Sequence, residues 1–521
     1  MSKICLNITY YKAKIYKYKE RETNMCEGKS MYYKRYVWMI NFFVIFCCYG
    51  VFLQKHFSVD SYSIIYDNSG KQYLMQGRVV SYILNLILDK FNINTTLNQQ
   101  ALTFSLILCI SLSVTILIDI LYRIWENKNF INILAINVLV LISFLNVFLL
   151  EWFLYPEITL FLAIGLISAV VGILIISVSD KLFNSIIAFI FILISMEIYQ
   201  ANLGIFIIYS LIICFIKNKG DLNKKSIFSS IKILLIGGIT SIINIFILKY
   251  LVYKGIAPRS DRDPKLNFEV IKNNFHGILQ VQKNIWINTY DFLPKYVLTI
   301  YFMAIVILII YSIKKKNLNK KTFIYLVCIS IISYLIIFVP HLFTNGLWIA
   351  QRTIISFFIL LTFGGLVALF FNNNDVNKNL VLIIVSVFFL IINYIYIQSI
   401  GSNHIASNKI DQQFSVIINN EIEKYEKENN IKINNIAAQN DIEPTYHYKN
   451  IKYCIYDTNV RAFVTPWANV NMINYYSNNN YNKVEMDSEI YNQYFKSKNW
   501  DEFIPEEQMV FKGDTLYLII Y

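Results

Sequence analysis

Charge is scarce in this chain: 16% of its 521 residues are Asp, Glu, Lys or Arg and 56% are hydrophobic, where soluble domains carry roughly a quarter charged residues. Zinc-ligand spacing is missing too, because no Cys-x-x-Cys pair or Cys/His cluster occurs. Cys47, Cys48, Cys109, Cys214 and Cys328 fall in apolar runs and read as small hydrophobes, Cys5 and Cys26 precede the first run, and Cys454 stands alone in the C-terminal region. There is no glycine-rich phosphate loop, and no basic loop is long enough for half of a nucleotide-binding sheet. Residues 1–30 lack the apolar core of a signal peptide, and Met25 or Met31 could serve as the start. The apolar runs are nearly free of charge and show no internal repeat, unlike the midplane charges and paired halves of a transporter. A soluble globular domain, a zinc module and a nucleotide-sugar domain are thereby excluded.

What the chain has instead is long apolar runs, each able to cross a bilayer. About eleven are expected, near 37–53, 98–122, 131–150, 157–178, 183–197, 203–216, 227–251, 296–313, 322–340, 353–371 and 379–399. The pair 183–197 and 203–216 is short enough for a hairpin. The net charge of +13 does not imply nucleic acid, because the excess Lys and Arg cluster in short loops. Lys12, Lys14, Lys17, Lys19, Arg21, Lys34 and Arg35 precede the first span, Lys217, Lys219, Lys224 and Lys225 follow the sixth, and Lys314, Lys315, Lys316, Lys320 and Lys321 follow the eighth. All three groups fall on one side if the N-terminus is cytoplasmic. Residues 1–36 then form a cytoplasmic segment, 37–400 the membrane domain with external loops 54–97 and 252–294, and 401–521 an external domain.

The external loops hold the unusual polar residues. Asp60, Ser61, Tyr62, Asp67, Gly77 and Arg78 follow the first span directly. From Val79 to Phe91, Val80, Ile83, Leu84, Ile87 and Phe91 share one face and Ser81, Asn85 and Asp89 the other, the pattern of a helix in the membrane interface. Glu151, Glu197 and Arg352 abut spans and should be buried with partners, because an unpaired charge there is costly. Arg259, Asp261, Arg262, Asp263 and Lys283 lie in the 252–294 loop, where Asp261, Arg262 and Asp263 read as ordinary solvated loop charges. The tail predicts a small α/β domain, with a helix at 411–429, short strands at 451–456 and 515–521, and a helix capped by Thr465-Pro466.

A carboxylate in water just beyond a span suits transfer of a sugar from a lipid carrier. A sugar hydroxyl is a weak nucleophile and needs a general base. A departing lipid phosphate needs a cation or hydrogen-bond donors. Asp60 is the candidate base, and its alternative role is an ordinary helix-capping or turn aspartate. Asp67 is second choice or orients the acceptor. Arg78 and Arg352, with Lys283 behind them, are candidates for the phosphate; Arg78 could also simply snorkel to the headgroups. Tyr62, Glu151, Tyr199 and Gln200 are candidates for sugar hydroxyls. No cofactor is demanded; a divalent metal could bind where carboxylates cluster, but no ligand pattern requires one.

Four pieces carry a family resemblance: Asp60-Ser61-Tyr62 with Asp67 and Leu74-Met75-Gln76-Gly77-Arg78; Tyr199-Gln200; Arg352-Thr353; and the tail segment from Ala462 to Tyr476 around Trp467. Together they resemble the Gtr-type (GtrII-like) bacterial glucosyltransferases that decorate O-antigen and related surface glycans. The resemblance implies an all-α polytopic membrane protein, a GT-C-like multispan bundle with a small extracytoplasmic α/β C-terminal domain. It also implies a polyprenyl-phosphate-linked sugar donor, commonly glucose, a glycan acceptor, and work at the outer face of the cytoplasmic membrane. The rival readings are a flippase or transporter for a lipid-linked sugar, a polysaccharide polymerase or ligase using the 252–294 loop, and a non-catalytic scaffold.

Overall fold

The computed structural model describes residues 35–179, 181–258, 267–316, 319–455, 457–496 and 498–521. The basic residues from Lys12 to Lys34, and Arg259, Asp261, Arg262 and Asp263, lie outside the described residues. A helix occupies every expected span. Among the described residues seven helices are long and apolar enough to cross a membrane: Arg35–Leu53, Gln99–Ile124, Pro156–Val178, Lys224–Tyr253, Val297–Lys314, Lys320–Leu342 and Val376–Asn429. Four apolar helices are shorter: Phe130–Ile142, Leu182–Ile198, Asn202–Lys217 and Ser356–Phe371.

Three of the short helices form the interior of the bundle. Asn202–Lys217 is buried at every position but its last, and Phe130–Ile142 and Ser356–Phe371 are buried nearly all round. Small residues let these helices approach. A Cβ on Gly204 would lie 2.5 Å from the Ser356 hydroxyl, and one on Gly365 would collide with Leu139. Hydrogen bonds add to the packing: Ser143 Oγ donates to Thr362 Oγ1, which donates to the Leu139 carbonyl, while Tyr209 donates to Ser143. The long helices instead expose apolar stripes, such as Phe228, Leu235, Ile242 and Phe246 on one and Leu380, Ile384, Phe388 and Ile395 on another. That is the belt a helical bundle presents to lipid.

The expected span 131–150 is helical only to Ile142. Asn146 ends it, donating to the carbonyls of Ile142 and Ser143 and accepting from the amides of Phe148 and Leu149. Its side chain thus replaces helix hydrogen bonds with a turn. Residues 143–155 become a buried irregular segment that carries Glu151. The helix Val79–Lys90 forms as expected, and its polar stripe is the side that docks. Ser81 donates to the Ile198 carbonyl and Asn85 to the Asn68 carbonyl, while Ile83, Ile87 and Phe91 are exposed. The 252–294 loop holds a long amphipathic helix, Phe268–Asn288.

The tail differs from expectation in three ways. The last span continues without a break as one helix of 54 residues, Val376–Asn429, so the boundary drawn at 401 falls inside it. No strand forms at 451–455; among the described residues the sheet has four strands, β1 Asn435–Asn440, β2 Asn482–Lys483, β3 Met509–Lys512 and β4 Thr515–Ile520, in the order β2-β1-β4-β3. β1 runs parallel to β2 and β4, and β3 antiparallel to β4. The helix expected at Thr465-Pro466 starts at Asn469, because the Thr465 hydroxyl turns back to the Arg461 carbonyl instead of capping. Asp411 on the long helix is the anchor of this domain, accepting from the Tyr448 hydroxyl and from the amides of Ala462 and Phe463.

Loops sort into two ends. At one, Lys219 pairs with Glu126 at 2.7 Å, Trp125 donates to Asn373 and Ser312 to Asn372. At the other, the first loop, the 143–158 segment, residues 199–200, residues 348–353 and the tail converge. This arrangement predicts opposite labelling. In a background lacking the native cysteines, Lys219→Cys and Asn478→Cys should react with an impermeant maleimide from opposite faces of the membrane. Labelling of both from one face would contradict the arrangement.

Candidate active site

The first loop is shaped by a buried carboxylate at the start of another helix. Ser58 Oγ donates to Glu157 Oε1 at 2.8 Å and Ser61 Oγ to Glu157 Oε2 at 2.7 Å. Glu157 is 1% exposed, so these two hydroxyls replace its water. The Asp60 amide also donates to Ser58 Oγ. Two serines thus bracket Asp60 and fix its backbone, and Asp60 opens the short helix Ser61–Tyr66. Its carboxylate does not cap that helix. It reaches out instead, and Oδ1 accepts a hydrogen bond from Trp467 Nε1 of the tail at 3.0 Å. The helix-capping half of the alternative for Asp60 is therefore excluded, while its backbone does lie in a turn.

Asp60 stands among charges that share its neighbourhood. Burial pushes the Tyr73 phenol up, with Glu157 adding to the shift, Arg78 opposing it and Asp60 adding again. The Tyr155 phenol is likewise raised by burial, with Arg352 opposing and Asp457, Glu151 and Asp60 adding. Asp60 thus adds to the shift of both phenols, which Arg78 opposes at Tyr73 and Arg352 at Tyr155.

Arg78 sits at a fixed corner. Gly77 has φ of +69°, a left-handed conformation that favours glycine. Three groups hold the corner: Gln200 Nε2 donates to the Gln76 carbonyl, Asn244 Nδ2 to the Gly77 carbonyl, and Glu197 Oε1 accepts from Asn244. The Arg78 guanidinium then lies 4.7 Å above the Tyr199 ring, a cation–π contact. The Tyr199 hydroxyl donates to the Arg352 carbonyl at 3.1 Å.

Arg352 and Glu151 form a buried pair, 12% and 2% exposed. The Arg352 guanidinium donates to Glu151 Oε1, and its backbone amide to Glu151 Oε2 at 2.6 Å. It also donates to the Tyr155 hydroxyl and to Asp457 Oδ2, both at 3.1 Å, and lies between the rings of Tyr155 and Trp348. Burial works against its charge, and Glu151, Tyr155, Tyr199 and Asp457 together outweigh it, so the guanidinium is held above its ordinary value. Burial pushes the Glu151 carboxyl up and Arg352 draws it back.

The expected residues divide accordingly. Asp60, Arg78, Tyr199, Gln200, Glu151 and Arg352 come together at one end of the bundle. Glu151 is engaged by Arg352 rather than turned to a ligand, and Gln200 by the Gln76 carbonyl. Tyr62 is 1% exposed, packed among Phe57, Tyr475 and Tyr476, with its hydroxyl against that of Tyr476. Asp67 ends the helix that Asp60 begins and is exposed in a turn, accepting from the Ser69 amide. Lys283 is exposed on Phe268–Asn288, which packs on Val297–Lys316 and Lys320–Leu342. Glu157, Tyr73, Tyr155, Asp457 and Trp467 belong with the site and were not among the expected residues. A carboxylate opening an apolar helix was the available signal for Glu157. Among the described residues no three His, Cys, Asp or Glu side chains gather as metal ligands would.

Carboxylates, arginines and aromatic rings thus meet at one end of a bundle whose long helices are apolar enough to cross a membrane. The chain belongs to the family described as Glucosyl transferase GtrII, whose model matches residues 49–369. This is the family that its loop motifs resemble, and membership makes the chain a glucosyltransferase by family. No curated protein and no solved structure matches it.

The buried pair yields a stability prediction. Arg352→Ala leaves Glu151 buried without its cation and should cost about 3–5 kcal/mol. The double variant Glu151→Gln with Arg352→Gln should recover part of that loss. Thermal unfolding in detergent reads both, and a wild-type midpoint for Arg352→Ala would show that the pair is not structural.

Proposed function

We propose that this protein moves a glucosyl group from a polyprenyl-phosphate carrier to a surface glycan at the outer face of the cytoplasmic membrane, with Asp60 as general base. The observation that carries the reading is the Asp60 carboxylate, which makes no helix cap and accepts from Trp467, at the end of the bundle where Arg78 and Arg352 also lie. The family match supports the sugar and the reaction class.

In this reading the acceptor hydroxyl oxygen attacks the anomeric carbon of the donor. The bond from that carbon to the phosphate oxygen breaks, and its electron pair leaves with the lipid phosphate. The hydroxyl proton passes to the Asp60 carboxylate, and a single displacement inverts the anomeric centre. Arg78 meets the charge growing on the phosphate. Its place above the Tyr199 ring orients the planar guanidinium. Arg352 takes a positioning role, because its guanidinium is engaged by Glu151, Tyr155 and Asp457 and its carbonyl holds Tyr199. Glu157 positions Asp60 through Ser58 and Ser61. Asp67 and Lys283 are left with lesser roles, outside the reacting centre.

Asp60→Asn keeps the side chain's shape and removes proton acceptance. Transfer from polyprenyl-phosphate glucose in isolated membranes should fall roughly 10²–10⁴-fold, with protein level unchanged. Glu157→Gln should be milder, about tenfold, since the amide still bonds one of the two serines. Normal transfer by Asp60→Asn would remove the first loop from the chemistry.

A further inference from the structure

The tail brings one side chain to the reacting centre that the family match does not cover. Trp467 lies beyond residue 369, where the matched region ends. Its indole N–H bonds Asp60, yet the residue is 56% exposed. A lone exposed aromatic is ordinary on any surface. This one is mounted rigidly. Its own carbonyl accepts from Ser63 Oγ at 2.8 Å, and the preceding Pro466 carbonyl accepts from Lys483. The turn beneath it is closed by bonds from the Ala468 and Asn469 amides to the Thr465 carbonyl. The Asp411 anchor, through Ala462 and Phe463, ties that turn to the long helix.

We propose that Trp467 is the acceptor platform: its indole face stacks on the apolar face of the acceptor sugar, and its N–H aims Asp60 at the hydroxyl that attacks. The proposal rests on the reading of Asp60 as base. Its geometry follows from one contact. A hydroxyl surrendering its proton to Asp60 must come within about 2.6–3.2 Å of a carboxylate oxygen. The indole nitrogen is 3.0 Å from Oδ1 of the same carboxylate. A pyranose ring bearing that hydroxyl therefore lies within about one ring's width of the indole. The C–H face of a pyranose is the chemistry that an exposed, immobile indole takes, because one side of each partner is apolar and its edges stay wet. The platform is thus supplied by the tail, and the donor's cation, Arg78, by the membrane domain.

The test uses the full chain in membranes, with polyprenyl-phosphate glucose as donor and, as acceptor, surface glycan isolated from a strain deleted for the gene. Hydrolysis of the donor by water, without glycan, is read in parallel. Trp467→Ala should raise the acceptor KM roughly three- to tenfold and lower kcat, with the donor KM unchanged. Trp467→Phe keeps a face and loses the N–H, so kcat should fall about tenfold with the acceptor KM near wild type. Trp467→His keeps a ring donor and loses most of the face, and should show the reverse split. Donor hydrolysis by Trp467→Ala should fall no further than by Trp467→Phe, because water needs no stacking surface. An unchanged acceptor KM in Trp467→Ala, with Asp60→Asn inactive, would overturn the platform and leave the base assignment standing. Equal rises in donor and acceptor KM would also overturn it, since a structural role in docking the tail does that. Normal transfer by Asp60→Asn would overturn the reading beneath the proposal, and the proposal with it.

Discussion

The Glu151–Arg352 pair is the constraint from which the polar end of this molecule is built. It joins two irregular segments that the chain reaches two hundred residues apart, 149–152 and 351–353, and through Asp457 it adds the tail. A buried charge pair is a poor source of net stability, because desolvation offsets much of the attraction. Its value is geometric. Glu151 accepts from both the backbone and the side chain of Arg352, so neither segment can shift without exposing a charge to an apolar interior. From Arg352 the order passes on: its carbonyl fixes Tyr199, whose ring carries Arg78, and its guanidinium fixes Tyr155, the residue before the helix that Glu157 enters.

Polar side chains do in this bundle what apolar ones do in a soluble core. Lipid competes for apolar surface on equal terms, so burying leucine against leucine gives little preference for one helix arrangement over another. Hydrogen bonds between helices give that preference. The Val79–Lys90 helix illustrates it, with serine and asparagine facing protein and isoleucine facing out. Asn146 does the same by ending a helix early, and the buried segment that results is what carries Glu151 inward.

Much of this was legible in the sequence. Apolar runs located the apolar helices, and among the described residues seven of these are long enough to cross a bilayer. The positions of Asp60, Arg78, Tyr199, Gln200 and Arg352 at one end followed from counting those runs. What stayed hidden depended on contacts across the chain. A sequence shows Glu157 as the first charge of a span and does not show that Ser58 and Ser61 meet it. Asn146 looks like one polar residue in an apolar run until its bonds to four backbone groups are seen. No strand forms at 451–455 because β-branched and aromatic residues also suit an irregular segment packed against a helix, as Tyr453 does against Tyr396. The tail looked separate because a polar stretch from 401 to 413 interrupts the apolar pattern. The helix runs through it, with His404 and Asp411 buried against the tail.

That continuous helix bears on how a site can be divided between membrane and water. On the proposed reading the donor arrives by diffusion in the bilayer and the acceptor from the aqueous side, so the groups that meet them need different surroundings. A single helix of 54 residues that begins as a span and ends inside the tail domain holds the two bodies in one register. The first loop is then clamped from both sides: Glu157 on the bundle grips Ser58 and Ser61, while Asn408 on the long helix accepts from the Phe57 amide and Trp467 bonds Asp60. Asp60 lies on the seam. A base located there is positioned by both bodies at once, and neither body alone would fix its carboxylate. The family model stops at residue 369, before the long helix begins. On the proposed reading, what lies before that point handles the lipid-linked donor, and what lies after it completes the base and meets the acceptor.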